Sequence, residues 1–201
     1  ILKGLKKLEY RGYDSAGIAT VGNPSIKMAK DQGTIDEVVN ENTKLDGKTG
    51  IGHTRWATHG EVNQTNAHPH TNSRPDEEHN GRVAVVHNGI INNYAELKKE
   101  LGEHRFESET DTEVIPHLIE KELEKTDDLK EVCENVTERI EGNYAVVAIL
   151  DTGEGLAFRK GSPLVVGVEK QEIFLASDVT AFLEHTEKAI FLEDGDYMVI
   201  E

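Results

Sequence analysis

The stretch Gly52-His53-Thr54-Arg55-Trp56-Ala57-Thr58-His59-Gly60 combines an arginine, a tryptophan, two threonines and two histidines within nine residues. A buried strand needs mainly valine and isoleucine, and an amphipathic helix needs apolar residues three and four apart. The stretch follows neither pattern. It offers hydrogen-bond donors, one cation and a flat aromatic ring, which suit a pocket for a small polar ligand. We therefore expect the rest of the chain to be arranged around this stretch.

The length and composition narrow the class of protein. The chain has 201 residues, which fits one domain over 1–201. Its net charge of −16 would repel phosphates, which argues against nucleic acid or an anionic membrane as a partner. A single cysteine excludes an internal disulfide and fits a cytoplasmic location. No apolar run approaches the roughly 20 residues that span a bilayer.

Apolar spacing places the helices and strands. Stripes at intervals of three and four predict helices over 115–123 and 129–140, and Thr34 with Glu37 has the spacing of a capping box. The order is strands, a helical pair, then strands, which indicates an α+β fold with helices covering sheets rather than a doubly wound parallel sheet. The predicted strands cover 18–21, 26–29, 50–54, 83–86, 105–107, 144–150, 156–159, 164–168, 173–176, 189–192 and 197–200.

The pair Asn88-Gly89 follows an apolar run and has two interpretations. An Asn-Gly pair after a strand is typical of a turn. The alternative is an oxyanion hole, in which the Asn88 amide and the Gly89 backbone N–H donate to a developing alkoxide. The spacing alone leaves both open.

Arg55 and Asp111 also have two interpretations. An arginine at a strand end is commonly a solvated charge, and an aspartate ahead of a helix is commonly its N-cap. The alternative is a clamp for an α-amino acid, in which Arg55 binds the carboxylate through a bidentate fork and Asp111 binds the ammonium group.

The histidines and the single cysteine carry less information. The spacing of His53, His59, His68, His70, His79 and His87 matches no zinc-ligand signature, so we expect these histidines to form hydrogen bonds that fix a loop, with no metal and no cofactor. Cys133 lies on the apolar stripe of its predicted helix, where burial raises a thiol's pKa and makes it inert. It is therefore expected in the core and not as a nucleophile.

Several longer motifs together resemble one known family. They resemble the class II glutamine amidotransferase (glutaminase) domain of glucosamine-6-phosphate synthases, which are the isomerizing glutamine–fructose-6-phosphate aminotransferases. The match covers essentially the whole chain, and the first motif favours this branch over relatives that act on phosphoribosyl pyrophosphate or aspartate. The motifs are RGYDSAG (11–17), HTRWATHG (53–60), NAHPH (66–70), HNGI (87–90), ETDTE (109–113), GSPL (161–164) and FLEDGD (191–196).

The resemblance implies a fold, a reaction and a set of residue roles. It implies an N-terminal-nucleophile hydrolase with a four-layer αββα sandwich. It implies hydrolysis of L-glutamine to glutamate and ammonia, and transfer of the ammonia to an isomerase domain that converts fructose 6-phosphate to glucosamine 6-phosphate in a homodimeric full-length enzyme. The implied roles are substrate binding for Arg55, Trp56, Thr58, His59 and Asp111, an oxyanion hole from Asn88 and Gly89, and support of the nucleophile by Arg11.

The resemblance also implies a nucleophile that these residues do not contain. In the family it is an N-terminal cysteine on a strand ahead of the opening helix, and its own α-amine, which titrates near 8, acts as the base. Ile1 cannot take this role. We therefore expect a truncated chain that lacks the first strand at its N-terminus and the isomerase domain at its C-terminus. Such a chain should release no ammonia by itself. The alternative is a glutamine-binding or scaffolding module without a nucleophile.

Overall fold

The structure is a computed structural model that describes residues 1–22, 25–40, 43, 45–56, 60–72, 81–102 and 104–201. Within these ranges the chain forms α-helices and antiparallel sheets, which confirms the α+β prediction. The helices are α1 (Leu2–Leu8), α2 (Ile35–Val38), α3 (Tyr94–Glu100), α4 (Val114–Leu123) and α5 (Leu129–Arg139), with 3-10 turns at Glu9–Arg11 and Val179–Ala181. None of the helices in the described ranges has the length and apolar content needed to cross a membrane.

The strands of the described residues form three sheets. They are β1 (Ser15–Val21), β2 (Ile26–Gln32), β3 (Gly50–Arg55), β4 (His70–Thr71), β5 (Val83–Ile91), β6 (Gly142–Leu150), β7 (Gly155–Lys160), β8 (Val165–Val168), β9 (Ile173–Ala176), β10 (Ala189–Phe191) and β11 (Tyr197–Ile200). The first sheet has the order β2-β1-β3, the second β11-β7-β6-β5-β4 and the third β10-β8-β9. Every pairing between these strands is antiparallel.

The largest core lies between the five-stranded sheet and helices α3, α4 and α5. Alternate residues of β5, such as Val83 and Val85, face this core together with Val146 of β6. They pack against apolar residues of α4 and α5, including Leu118 and Val136. The stripes that predicted the two helices are therefore the faces that the helices bury, as expected for amphipathic segments.

A second core joins the five-stranded sheet to the first sheet. Ala84 of β5 and Ile149 of β6 pack with Ala19, Ile26 and Ile51. Because side chains alternate between the two faces of a strand, the residues of β3 at 51, 53 and 55 point into the space between these sheets. The same alternation directs residues 84, 86 and 88 of β5 toward that space.

The opposite face of the first sheet is covered by α1 and α2. Leu5 of α1 and Ile35 of α2 pack against Ala16 and Ile18 of β1. The predicted capping box is confirmed at the start of α2, where the Glu37 carboxylate accepts hydrogen bonds from the Thr34 backbone and hydroxyl. Helix α2 therefore covers the outer face of the first sheet, and Arg55 lies on the inner face of the same sheet.

Several segments differ from the sequence prediction. Strand β1 begins three residues earlier than predicted, β2 ends three residues later, and two further segments differ more. The strand predicted at 105–107 is wrong: the backbone N–H groups of Glu107 and Ser108 donate to the Glu113 carboxylate, so a side chain occupies them instead of a neighbouring strand. The strand predicted at 83–86 continues to Ile91, because its pairing with β6 extends to Gly142. Periodicity cannot reveal either partner. Glu113 binds the backbone through its side chain, and Gly142 lies far from Ile91 in the sequence.

Candidate active site

Arg55 ends β3 and is buried, with 6% of its surface exposed. Burial lowers the pKa of its guanidinium, and the nearby carboxylates of Asp111 and Asp14 oppose that shift. The sequence left open that Arg55 is a solvated charge at a strand end. Its burial near two carboxylates excludes that interpretation. The structure therefore brings Arg55 and Asp111 into one electrostatic environment.

Asp111 precedes α4 but does not cap it. The N-cap of α4 is Glu113, and the Asp111 carboxylate accepts instead from the backbone N–H of Ile91 at 2.6 Å. This bond ties the segment before α4 to the end of β5. It occupies Oδ2 of Asp111, and the residue also lines the large cavity described below.

Asn88 and Gly89 lie inside β5, which excludes the interpretation as a turn. Asn88 pairs with Ala145 and Gly89 pairs with Tyr144 in the ladder with β6. Gly89 has a φ of +130°, and a Cβ at this position would lie 1.9 Å from the carbonyl oxygen of Asn143. Only glycine fits this backbone, because a positive φ and the close approach both disfavour a side chain.

The side chain of Asn88 is held by a histidine of the opposite sheet. His53 Nε2 lies 3.0 Å from Asn88 Oδ1, an oxygen that can only accept, so His53 donates and carries its proton on Nε2. Burial lowers the pKa of His53 to about 4, so the ring is neutral near pH 7. The contact leaves the amide N–H₂ of Asn88 to donate elsewhere.

Three further histidines anchor the segment that carries Asp111. His87 Nδ1 and His68 Nε2 lie 2.9 Å and 3.1 Å from the Thr112 hydroxyl. His70 Nε2 lies 3.1 Å from the Thr110 hydroxyl. Burial lowers the pKa of all three histidines, so they act as neutral hydrogen-bonding groups.

A reciprocal side-chain contact joins the loop after residue 60 to the same segment. The Asn66 side chain accepts from the Glu109 N–H at 2.9 Å and donates to the Glu109 carboxylate at 2.9 Å. That carboxylate also accepts from the Glu61 N–H at 3.1 Å. The NAHPH and ETDTE motifs are therefore two sides of one network.

The residues after β3 pack against the 11–17 motif. A Cβ on Gly12 would lie 2.6 Å from the backbone nitrogen of Trp56, so a glycine here lets the turn pack closely against the end of β3. The Tyr13 ring meets the Trp56 ring edge-on at 5.9 Å, and Trp56 remains 58% exposed. Arg11 lies 4.0 Å from the Asp178 carboxylate.

A cavity of about 1620 Å³ connects these groups. It lies between β3 on one side and β9 on the other, and its lining includes the predicted site residues of the described ranges, namely Arg11, Arg55, Trp56, Asn88, Gly89 and Asp111. Thr58 and His59, the remaining predicted site residues, lie outside the described residues. The volume exceeds the roughly 300 to 1,000 Å³ of small-molecule pockets.

Cys133 lies far from this chemistry. It is fully buried among the apolar residues of α5 and the five-stranded sheet. Burial raises the pKa of its thiol to about 12, so it is not a thiolate near neutral pH. The prediction that Cys133 lies in the core is confirmed.

Sequence reasoning missed the positioning groups of the site. It expected His53 and His87 only as hydrogen-bonding histidines that fix a loop, and it assigned no role to Thr110, Thr112 or Glu109. One signal was available for His53, since it lies two residues before Arg55 on a strand and so shares its face. The threonines gave none, because their partners are histidines 25 to 44 residues away.

Comparison with known proteins identifies the family of this chain. A family model described as a glutamine amidotransferase domain matches residues 62–184. A glutamine–fructose-6-phosphate aminotransferase (isomerizing) from Pyrococcus horikoshii is 50% identical over 100% of this chain, and one from Methanothermobacter thermautotrophicus is 49% identical over the same share. The chain spans 33% and 34% of their lengths. These similarities favour the enzyme over a non-catalytic binding module.

Solved structures also show a similar fold. A glutamine phosphoribosylpyrophosphate amidotransferase from B. subtilis, complexed with ADP and GMP, superimposes with a TM-score of 0.80 at 30% identity. The comparison covers 98% of this chain and 43% of that one. This chain therefore shares its fold with a glutamine phosphoribosylpyrophosphate amidotransferase.

Proposed function

This chain belongs to the glutamine amidotransferase domain family, and we propose that it is the glutaminase part of an isomerizing glutamine–fructose-6-phosphate aminotransferase. In this function L-glutamine is hydrolysed to glutamate and ammonia. An isomerase domain of the same enzyme then uses the ammonia to make glucosamine 6-phosphate from fructose 6-phosphate. Identity near 50% over the whole chain supports this assignment.

The proposed substrate clamp consists of Arg55 and Asp111. The buried guanidinium offers a planar fork for the α-carboxylate of glutamine, which matches carboxylate geometry better than an ammonium group does. The Asp111 carboxylate receives the α-ammonium, and its bond to the Ile91 N–H holds it at the cavity wall. This pair is the observation that carries the clamp, because a buried cation and a carboxylate that line one cavity and interact electrostatically suit a zwitterionic amino acid. Trp56 lines the same cavity. Thr58 and His59, which lie outside the described residues, are proposed as further substrate-binding residues.

Asn88 and Gly89 provide the proposed oxyanion hole. Attack on the side-chain amide of glutamine puts negative charge on its oxygen, and preorganised donors lower the energy of that state. The Asn88 amide N–H₂ is directed by the bond between its oxygen and His53. Gly89 keeps its place in β5 with a φ of +130°, and its backbone N–H is the second proposed donor to that oxygen.

The proposed nucleophile is an N-terminal cysteine on a strand outside residues 1–201. Cys133 is excluded by its burial and its high pKa. Within the described residues, β3 and β9 each pair with a neighbour on one side only, and both line the same cavity. A strand inserted there would hydrogen-bond to both edges, join the first and third sheets, and deliver its first residue beside Asn88. Arg11, close to Asp178 beyond β9, would hold that segment.

The packing of helices and sheets supports the proposed four-layer αββα arrangement of an N-terminal-nucleophile hydrolase. Helices α1 and α2 cover the first sheet, the first sheet packs on the five-stranded sheet, and α3 to α5 cover the other side. We further propose one domain over 1–201 and a homodimer in the full-length enzyme.

Glutamate release from L-glutamine by the protein that carries this chain tests the proposal. The full-length protein is expected to release glutamate and to form glucosamine 6-phosphate from fructose 6-phosphate. The Cys133→Ala variant should retain this turnover, because the thiol is only a core group. Absence of glutamine turnover in the folded full-length protein, or its loss in Cys133→Ala at normal folding, would contradict the proposal.

A further inference from the structure

A cluster of two histidines and a glutamate lies outside the glutamine site. His117 and Glu120 are one turn apart on α4, and His104 follows α3 in the connection between these helices. The donor atoms of the three side chains all lie within 4.8 Å of one another. None of the three lines the cavity that contains Arg55 and Asn88. We propose that this cluster binds a divalent transition-metal ion of the zinc type.

The distances suit a single ion between the side chains. His104 Nδ1 lies 3.0 Å from His117 Nδ1 and 3.7 Å from Glu120 Oε2. With metal–ligand bonds of about 2.0 to 2.2 Å, these separations correspond to angles of about 95° and 125° at the ion, on either side of the tetrahedral value. The third pair must lie within about 4.2 Å to share that ion, which rotation of the flexible Glu120 side chain can provide.

The ligand types indicate which ions fit. Two imidazoles and one carboxylate are the set that zinc uses in sites where water completes the coordination, and the same set suits Co²⁺ and Ni²⁺. Mg²⁺ and Ca²⁺ prefer oxygen ligands, so this cluster disfavours them. The net charge of −16 also raises the local concentration of cations around the protein.

The surroundings preorganise the cluster and leave an approach from solvent. His117 is 2% exposed, and the Phe106 ring packs edge-on against it at 4.8 Å. The side chains of His104 and Glu120 are 17% and 16% exposed to solvent, so an ion with bound water can reach them. The backbone N–H of His104 donates to the Leu101 carbonyl at 2.9 Å, which holds the connection after α3 near α4.

The expected role of the ion is structural. It joins the connection after α3 to α4, and this connection continues into residues 107–113, which carry Asp111. Without the ion, one of the two Nδ1 atoms donates a hydrogen bond to the other across the 3.0 Å contact. A bound ion replaces that single hydrogen bond with three metal–ligand bonds, one from His104 in the connection and two from His117 and Glu120 on α4.

Titration of the chelator-treated full-length protein with ZnCl₂, followed by calorimetry, tests the proposal. One ion per chain is expected at this site. His104→Ala and Glu120→Gln should each weaken the affinity at least tenfold, whereas Glu124→Gln, an exposed carboxylate at the end of the same helix, should leave it unchanged. At a hundredfold excess of zinc over Kd the melting temperature should rise by about 5 to 10 °C.

Substitution with Co²⁺ gives an independent readout. Visible absorption typical of four-coordinate cobalt with nitrogen and oxygen ligands should appear with the unaltered protein and disappear in the His104→Ala variant. The buried His117 is left unchanged, so far-UV circular dichroism of the two variants should match that of the unaltered protein. Equal zinc affinity in all the proteins, or no saturable binding, would overturn the proposal and leave only a hydrogen-bonded histidine pair.

Discussion

His53 Nε2 lies 3.0 Å from Asn88 Oδ1, and this hydrogen bond crosses the space between the first sheet and the five-stranded sheet. It joins the strand that carries Arg55 to the strand that carries the proposed oxyanion hole. Because Oδ1 receives the His53 proton, the Asn88 amide N–H₂ has a defined direction. The proposed substrate clamp and the proposed oxyanion hole are thus joined through one neutral imidazole.

Removing that donor should slow the reaction more than it weakens binding. In His53→Phe the Asn88 amide loses the bond that orients it, and we expect kcat to fall about tenfold to a hundredfold with KM nearly unchanged, less than the loss of an oxyanion donor itself. His53→Gln keeps a donor and should recover part of kcat. Steady-state glutamate release measures both variants, and an equal rise of KM in both would indicate a binding role instead.

Arg55→Lys should impair glutamine binding although the charge is kept. A lysine cannot reproduce the bidentate fork, so we expect the affinity for glutamine to fall at least tenfold, and Arg55→Ala should abolish measurable binding. Calorimetry with L-glutamine measures the change. Arg82→Lys, at an exposed position before β5, is the matched control and should bind normally. Unchanged affinity in Arg55→Ala would remove the clamp assignment.

The protein should lose stability as the pH falls from about 6.5 to about 4. Burial lowers the pKa of His53 to about 4, against 6.5 when exposed, so the unfolded chain binds more protons within this window. Protonation therefore favours unfolding, and His53 alone accounts for about 3 kcal/mol once the pH reaches the lower value. Urea unfolding at several pH values measures this. His53→Gln should show a weaker pH dependence, and identical curves would contradict the explanation.

Gly89→Ala should be much more damaging than Gly153→Ala. Both glycines have positive φ, but a Cβ at 89 meets the Asn143 carbonyl oxygen at 1.9 Å, whereas a Cβ at 153 meets nothing within 4 Å. Gly153→Ala should cost about 1 to 2 kcal/mol from backbone strain alone. We expect Gly89→Ala to cost several kcal/mol more, measured by urea unfolding. Equal losses would show that strand β5 moves to accommodate the methyl group.

Local sequence patterns predicted those parts of the fold whose cause is local. The stripes of α4 and α5, the capping box of Thr34 and Glu37, and the buried Cys133 each follow from residues a few positions apart. The strand at 105–107 was predicted wrongly, because the carboxylate of Glu113 occupies its backbone donors. The Asn-Gly pair gave an ambiguous signal, since its environment in β5 is set by the distant strand β6.

The sequence by itself determined the family, the acidic surface and the residue types of the site, because ordered motifs and composition need no coordinates. It also identified Arg55, Asp111, Asn88 and Gly89 before any distance was known. Only the tertiary structure decided how they are held: Asp111 by the Ile91 N–H, Asn88 by His53, and the segment around Thr112 by buried histidines. These hydrogen bonds join residues 20 to 44 positions apart, and folding alone brings such partners within reach.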